Sequence, residues 1–123
     1  MEPHQRAHCL AALKPLRTAL AVINGKWKLQ ILVALDTGSC RFGDMRASIP
    51  AISAKVLAKE LKDLEAHQLI RRLVEPGPPV AVRYQVLPYA RTLDPIIFQL
   101  SDWGVQHEAR LIAQAEPMAA KPA

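Results

Sequence analysis

The chain has 123 residues, half of them hydrophobic and 22% charged, with a formal net charge of +5. That is the profile of one soluble globular domain with a modest core, and its sign favours a polyanionic partner. With two cysteines, Cys9 and Cys40, and no apolar run of signal or membrane-spanning length, the reading excludes a disulfide-stapled secreted module and a membrane partner. A cytoplasmic chain with free thiols is the expectation.

Residues 1–14 read as a flexible N-terminal extension, because Met1–His8 is polar. Pro15 to Ile23 reads as a helix: Pro at a first-turn position costs no hydrogen bond, and Leu16, Ala19, Leu20 and Ile23 form an apolar stripe. Asn24-Gly25 ends it, since both tolerate a left-handed cap. Trp27 to Leu35 is a second helix with Trp27, Ile31 and Leu35 in register, closed by Gly38. Cys40-Arg41-Phe42 is a short extended piece, and Gly43 to Ser48 a short helix with Met45 inward. Pro50 pushes Ile49 out of helical geometry and makes a turn.

Ser53 to His67 is the most informative stretch. At about 100° per residue, Leu57, Leu61 and Leu64 share one side of a helix, and Lys55, Lys59 and Lys62 fall within roughly 60° of each other on the opposite side. Ser53 is placed to cap the first turn. Taken alone, such a row is most simply a solvated face. Glu60 and Asp63 read as i,i+3 and i,i+4 partners of the lysines.

The period then changes. Leu69–Glu75 and Val80–Leu87 read as two strands around the stiff turn Pro76-Gly77-Pro78-Pro79. In the second strand Val82, Tyr84 and Val86 share one face, and Ala81, Arg83 and Gln85 the other. Short helix, turn, amphipathic helix, hairpin is the order of a winged helix-turn-helix, in which the second helix enters the major groove. The fold class is therefore mainly α with a small β-hairpin. The helix-turn-helix occupies residues 43–67 and the wing 69–87 of a domain spanning 15–115.

Pro88 to Leu93 reads as a short helix. Asp94-Pro95 restarts the chain into a helix over 95–115, where Ile96, Leu100, Trp103, His107 and Leu111 form a stripe spaced 4, 3, 4 and 4. Four turns of apolar stripe exceed the needs of a small core, so this reads as a dimerisation helix. Residues 116–123, rich in Pro and Ala, read as a flexible tail.

Charge is not spread evenly. Residues 1–52 carry seven Lys or Arg against three Asp or Glu, residues 53–86 six against four, and residues 87–123 three against four. The candidate DNA contacts are Arg46, Ser53, Ala54, Lys55, Ala58, Lys59, Lys62, Arg72 and Arg83. Ser53 and Lys55 are best placed for base edges, Lys59 and Lys62 for phosphate, and Ala54 and Ala58 for thymine methyls. Arg71 and Arg72 straddle a strand, so at most one of them faces DNA. The helix has no Arg, Asn or Gln before Gln68, so part of its sequence preference is expected from DNA shape and the wing.

Other chemistries lack support. There is no phosphate loop, no metal-binding pair of His with supporting context and no nucleophile with a supporting base, so no enzyme, metal or cofactor is expected. His4, His8 and Cys9 lack a matching second ligand pair. Trp27, Phe42 and Trp103 read as core or interface, and Cys40 as a small buried hydrophobe. The reading from another class is a winged helix used for protein–protein docking without DNA.

These blocks resemble the HxlR-type winged helix regulators of bacteria and archaea, relatives of the MarR group. The likeness is carried by Asn24-Gly25-Lys26-Trp27-Lys28, Arg41-Phe42-Gly43-Asp44-Met45, Ile52-Ser53-Ala54-Lys55-Val56-Leu57 and Leu61-Lys62-Asp63-Leu64-Glu65. It continues through Leu69-Ile70-Arg71-Arg72, Pro78-Pro79, Tyr84, Leu93-Asp94-Pro95 and Trp103-Gly104. The resemblance implies a transcription regulator, expected to repress. It implies a homodimer that uses the first helix, through Leu16 and Leu20, together with the C-terminal helix, on near-palindromic operator DNA. An unidentified small-molecule effector is left open.

Four positions depart from the family pattern. Lys14-Pro15 stands where many members have Cys-Pro, so no sensing role passes to Cys9. Gln68 stands where Gly usually ends the recognition helix. Leu87 replaces a capping Thr. Arg83 replaces a Glu before the wing Tyr, a charge reversal that offers a phosphate contact.

Overall fold

The structure is a computed structural model that describes the backbone of residues 3–120 and the side chains of residues 7–115. It divides into two compact units, residues 1–87 and 88–123.

In the first unit, helix α1 runs Pro3–Ile23. It begins well before Pro15, the expected start, and so takes in most of the expected N-terminal extension; Met1 and Glu2 lie outside the described residues. The physical reason is propensity. Ala7, Leu10, Ala11, Ala12 and Leu13 are strong helix formers, and together they outweigh one interior Pro, a penalty of about 3 kcal/mol. The Asn24 N–H bonds Leu20 O at 2.7 Å, and Gly25 at φ +90° turns the chain out of α1.

Helix α2, Lys28–Asp36, buries Ile31, Leu32, Ala34 and Leu35. It ends as expected at Gly38, φ +103°, whose N–H reaches Leu35 O while the Ser39 N–H reaches Ala34 O. Helix α3, Phe42–Ser48, contributes Met45 to the core, and α4, Ala54–Ala66, contributes Leu57, Leu61 and Leu64. With Ile31 and Ile70 these are the largest fully buried side chains among the described residues. A tight turn links α3 to α4 and holds Ala51 at φ +68°.

Strands β1, Ile70–Glu75, and β2, Ala81–Val86, pair antiparallel with Ile70 opposite Val86, Arg72 opposite Tyr84 and Val74 opposite Val82. The Leu87 N–H extends the ladder to Leu69 O at 2.8 Å. The hairpin is braced from outside: the Tyr84 N–H donates to Cys40 O at 2.8 Å. Cys40 is half-buried rather than fully buried, because it lies along this seam and not under it.

In the second unit, a 3-10 helix spans Pro88–Leu93 and buries Ala90. Helix α5 then runs Asp94–Ala120, beyond the expected end at residue 115. Ala113, Gln114 and Ala115 favour continuation; residues 121–123 lie outside the described residues. Among the described residues, no helix is long and apolar enough to cross a membrane.

Candidate nucleic-acid interface

Helix α4 is built as the periodicity predicts. Ser53 adopts extended backbone geometry and its Oγ accepts the Val56 N–H at 3.1 Å, so the first turn is capped by a side chain. Leu57, Leu61 and Leu64 are almost without exposed surface. Burying three leucines fixes the rotation of the helix about its axis, since any turn would return about 2 kcal/mol per leucine to water. Lys55, Lys59 and Lys62 are consequently exposed on the far side, and none of them has an ion pair or hydrogen bond among the described residues. Ser53 and Ala54 are exposed at the helix start, and Ala58 is half-buried on one flank.

The carboxylates of α4 do not sit where the sequence suggested. Glu60 and Asp63 were expected to pair with the lysines of their own helix. Instead both face Lys28 of α2, at 2.7 Å for Glu60 and 3.6 Å for Asp63. Lys28 is only 7% exposed. Its hydrogen bond to Glu60 raises its pKa above the usual lysine value, against the opposing effect of burial. Glu65, on the opposite flank, accepts the Arg72 backbone N–H at 3.2 Å. Sequence reasoning missed Lys28, yet a signal existed. Lys28 starts the i, i+3, i+4, i+7 series completed by Ile31, Leu32 and Leu35, and a lysine in a buried stripe demands a counter-charge.

Residues directly opposite across an antiparallel pair share a face. Arg72 therefore lies on the face of Ile70, Tyr84 and Val86. With Ala58, Lys62, Glu65 and Tyr84 it lines a cleft of about 340 Å³ between α4 and the hairpin. Arg71 lies on the other face, where its Nε donates to Gln85 Oε1 at 3.0 Å. That face also holds Arg83, whose Nη1 donates to Glu75 Oε1 at 2.9 Å. The two wing candidates, Arg72 and Arg83, thus sit on opposite faces, and the Arg83 charge is answered within the hairpin. Arg46 is exposed on the last turn of α3.

The other predicted set is also exposed in the single chain. Leu16 and Leu20 of α1 are uncovered, as are Ile96, Leu100, Trp103 and Leu111 of α5. Trp103 stacks on His107, ring centroids 4.8 Å apart. Trp27 is half-buried with the Lys26 Nζ 4.7 Å from its ring centroid, and Phe42 is half-buried. Cys9 is exposed, and the His4 side chain lies outside the described residues.

Comparison with known proteins agrees with this geometry. The family model described as HxlR-like helix-turn-helix matches residues 22–111. The HTH-type transcriptional regulator YdeP of Bacillus subtilis is 36% identical over 97 residues, covering 79% of this chain and 76% of YdeP. The solved structure of the reduced transcriptional regulator YodB of B. subtilis superposes with a TM-score of 0.68 at 30% identity, covering 75% of this chain and 90% of YodB. The reduced redox regulator HypR gives a TM-score of 0.68 at 33% identity, covering 80% of this chain and 98% of HypR.

Proposed function

The chain belongs to the HxlR-like helix-turn-helix family of transcriptional regulators, and we propose that it represses transcription as a homodimer bound to near-palindromic operator DNA. One observation carries the DNA-binding part. The lysines of α4 are exposed and unengaged on the side opposite three buried leucines. A helix held from behind in this way presents a fixed cationic ridge to the major groove. Ser53 and Lys55 meet base edges, since the start of a recognition helix enters the groove first. Lys59, Lys62, Arg46 and Arg72 meet phosphate.

Pairing of two chains is supported by the uncovered apolar side chains of α1 and α5. Leu16, Leu20, Ile96, Leu100, Trp103, His107 and Leu111 form the proposed interface. A single helix-turn-helix touches few base pairs, and a two-fold dimer doubles the footprint. The test is selection of bound duplexes from a random pool with the purified chain. Enrichment of an inverted repeat with half-sites about one helical turn apart is expected. Failure to enrich any sequence would sink the reading, and an enriched site without symmetry would remove the dimer.

A further inference from the structure

Helix α4 carries three ammonium groups, Lys55, Lys59 and Lys62, and three carboxylates, Glu60, Asp63 and Glu65. A formally neutral helix attracts a polyanion only if its charges are sorted in space. On an isolated helix Asp63 would pair with Lys59, one turn away at i+4. In the structure it does not; its Oδ2 lies 3.6 Å from Lys28 Nζ, beside Glu60 at 2.7 Å. Of the two carboxylates, Asp63 is the one with room to swing, being 44% exposed where Glu60 is 13%. Lys28 belongs to α2, and its position in a buried stripe keeps the ammonium group on the inner flank of α4. On the other flank Glu65 is held by the Arg72 N–H.

We propose that Lys28 is a positioning residue for DNA binding: it draws Asp63 away from Lys59, so that the Lys59 ammonium group remains free for a phosphate. This rests on the DNA-binding reading of α4. Lys28 touches no nucleic acid itself. It acts by deciding which cation Asp63 answers.

The test is a double-mutant cycle read by fluorescence anisotropy on a duplex of about 30 base pairs at about 50 mM salt, where phosphate contacts dominate. Lys28→Met combined with Glu60→Gln removes the buried pair without stranding a charge and leaves the net charge unchanged. This variant should bind about 3- to 10-fold more weakly, with a smaller salt slope, because Asp63 now pairs with Lys59. Adding Asp63→Asn should restore binding to within about 2-fold of the parent, whereas Asp63→Asn alone should change it by less than about 2-fold. Lys28→Arg should keep parental binding. Melting curves of all variants read fold integrity separately, and a purely structural role for Lys28 predicts no rescue by Asp63→Asn. Equal effects of Asp63→Asn with and without Lys28 would overturn the proposal. Lys59→Ala, measured alongside, separates the two readings. If it binds like the parent, the DNA reading of this face falls with the proposal; if it weakens binding while the cycle is additive, only the role of Lys28 falls.

Discussion

Arg83 Nη1 lies 2.9 Å from Glu75 Oε1, so this wing cation is already engaged by a carboxylate of the neighbouring strand. Glu75 accordingly holds the guanidinium above its ordinary pKa. Arg83→Ala should therefore weaken DNA binding less than Lys59→Ala, and Glu75→Gln should strengthen it about 2-fold by releasing a cation. Gel-shift titrations compare the three. Unchanged affinity in Glu75→Gln would take Arg83 out of the interface altogether.

Lys59 should behave as a phosphate contact. Lys59→Ala is expected to weaken binding to all duplexes alike and to lower the slope of log K against log salt by about one. A loss confined to one sequence would mean that Lys59 reads a base edge instead.

Helix α4 is flanked on both sides by a non-glycine residue in left-handed geometry, Ala51 at φ +68° in the turn before it and Gln68 at φ +62° just after it. Each conformation costs about 1–2 kcal/mol for an L-residue, and a glycine loses somewhat more chain entropy on folding. Both positions are exposed, so substitution sacrifices little packing. Ala51→Gly and Gln68→Gly should each stabilise the fold by about 0.5–1 kcal/mol. Urea titration at unchanged m-value checks this; a lower midpoint would show that neither site stores strain.

Leu100 is 51% exposed in the single chain. In a dimer that covers it, Leu100→Asp buries a charge against apolar surface, so the variant should sediment as a monomer and bind operator DNA weakly. A dimeric Leu100→Asp would place the interface elsewhere.

The Lys28–Glu60 pair links stability to pH. A lysine whose folded pKa lies above its ordinary value of 10.5 contributes stability that is complete below that pH and is lost as pH climbs through the raised value. Lys28→Met alone should destabilise by about 3 kcal/mol, since it leaves Glu60 buried without a partner. Adding Glu60→Gln should recover most of that. A melting temperature in the double variant as low as in the single one would mean that Lys28 stabilises through packing.

Much of the layout was legible in the order of residues because it is local. Apolar spacing places Leu57, Leu61 and Leu64 on one side of α4. Ser53 caps the helix because its oxygen is within reach of the third following amide, and period-two alternation sorts the faces of β2. The extents of α1 and α5 were less legible. The expected boundaries at Pro15 and residue 115 came from polarity and Pro content, whereas helical propensity carries both helices past them.

The sequence by itself determined that a lysine-bearing helix would be capped, anchored by leucines and followed by a hairpin, because each of those features depends on neighbours within about two turns of chain. Only the tertiary structure decided which charges on that helix remain unanswered. Lys28 and Glu60 are 32 positions apart, and Arg83 meets Glu75 only through the strand register. Coulomb attraction depends on distance in space, so the fold sets the sign presented at each surface.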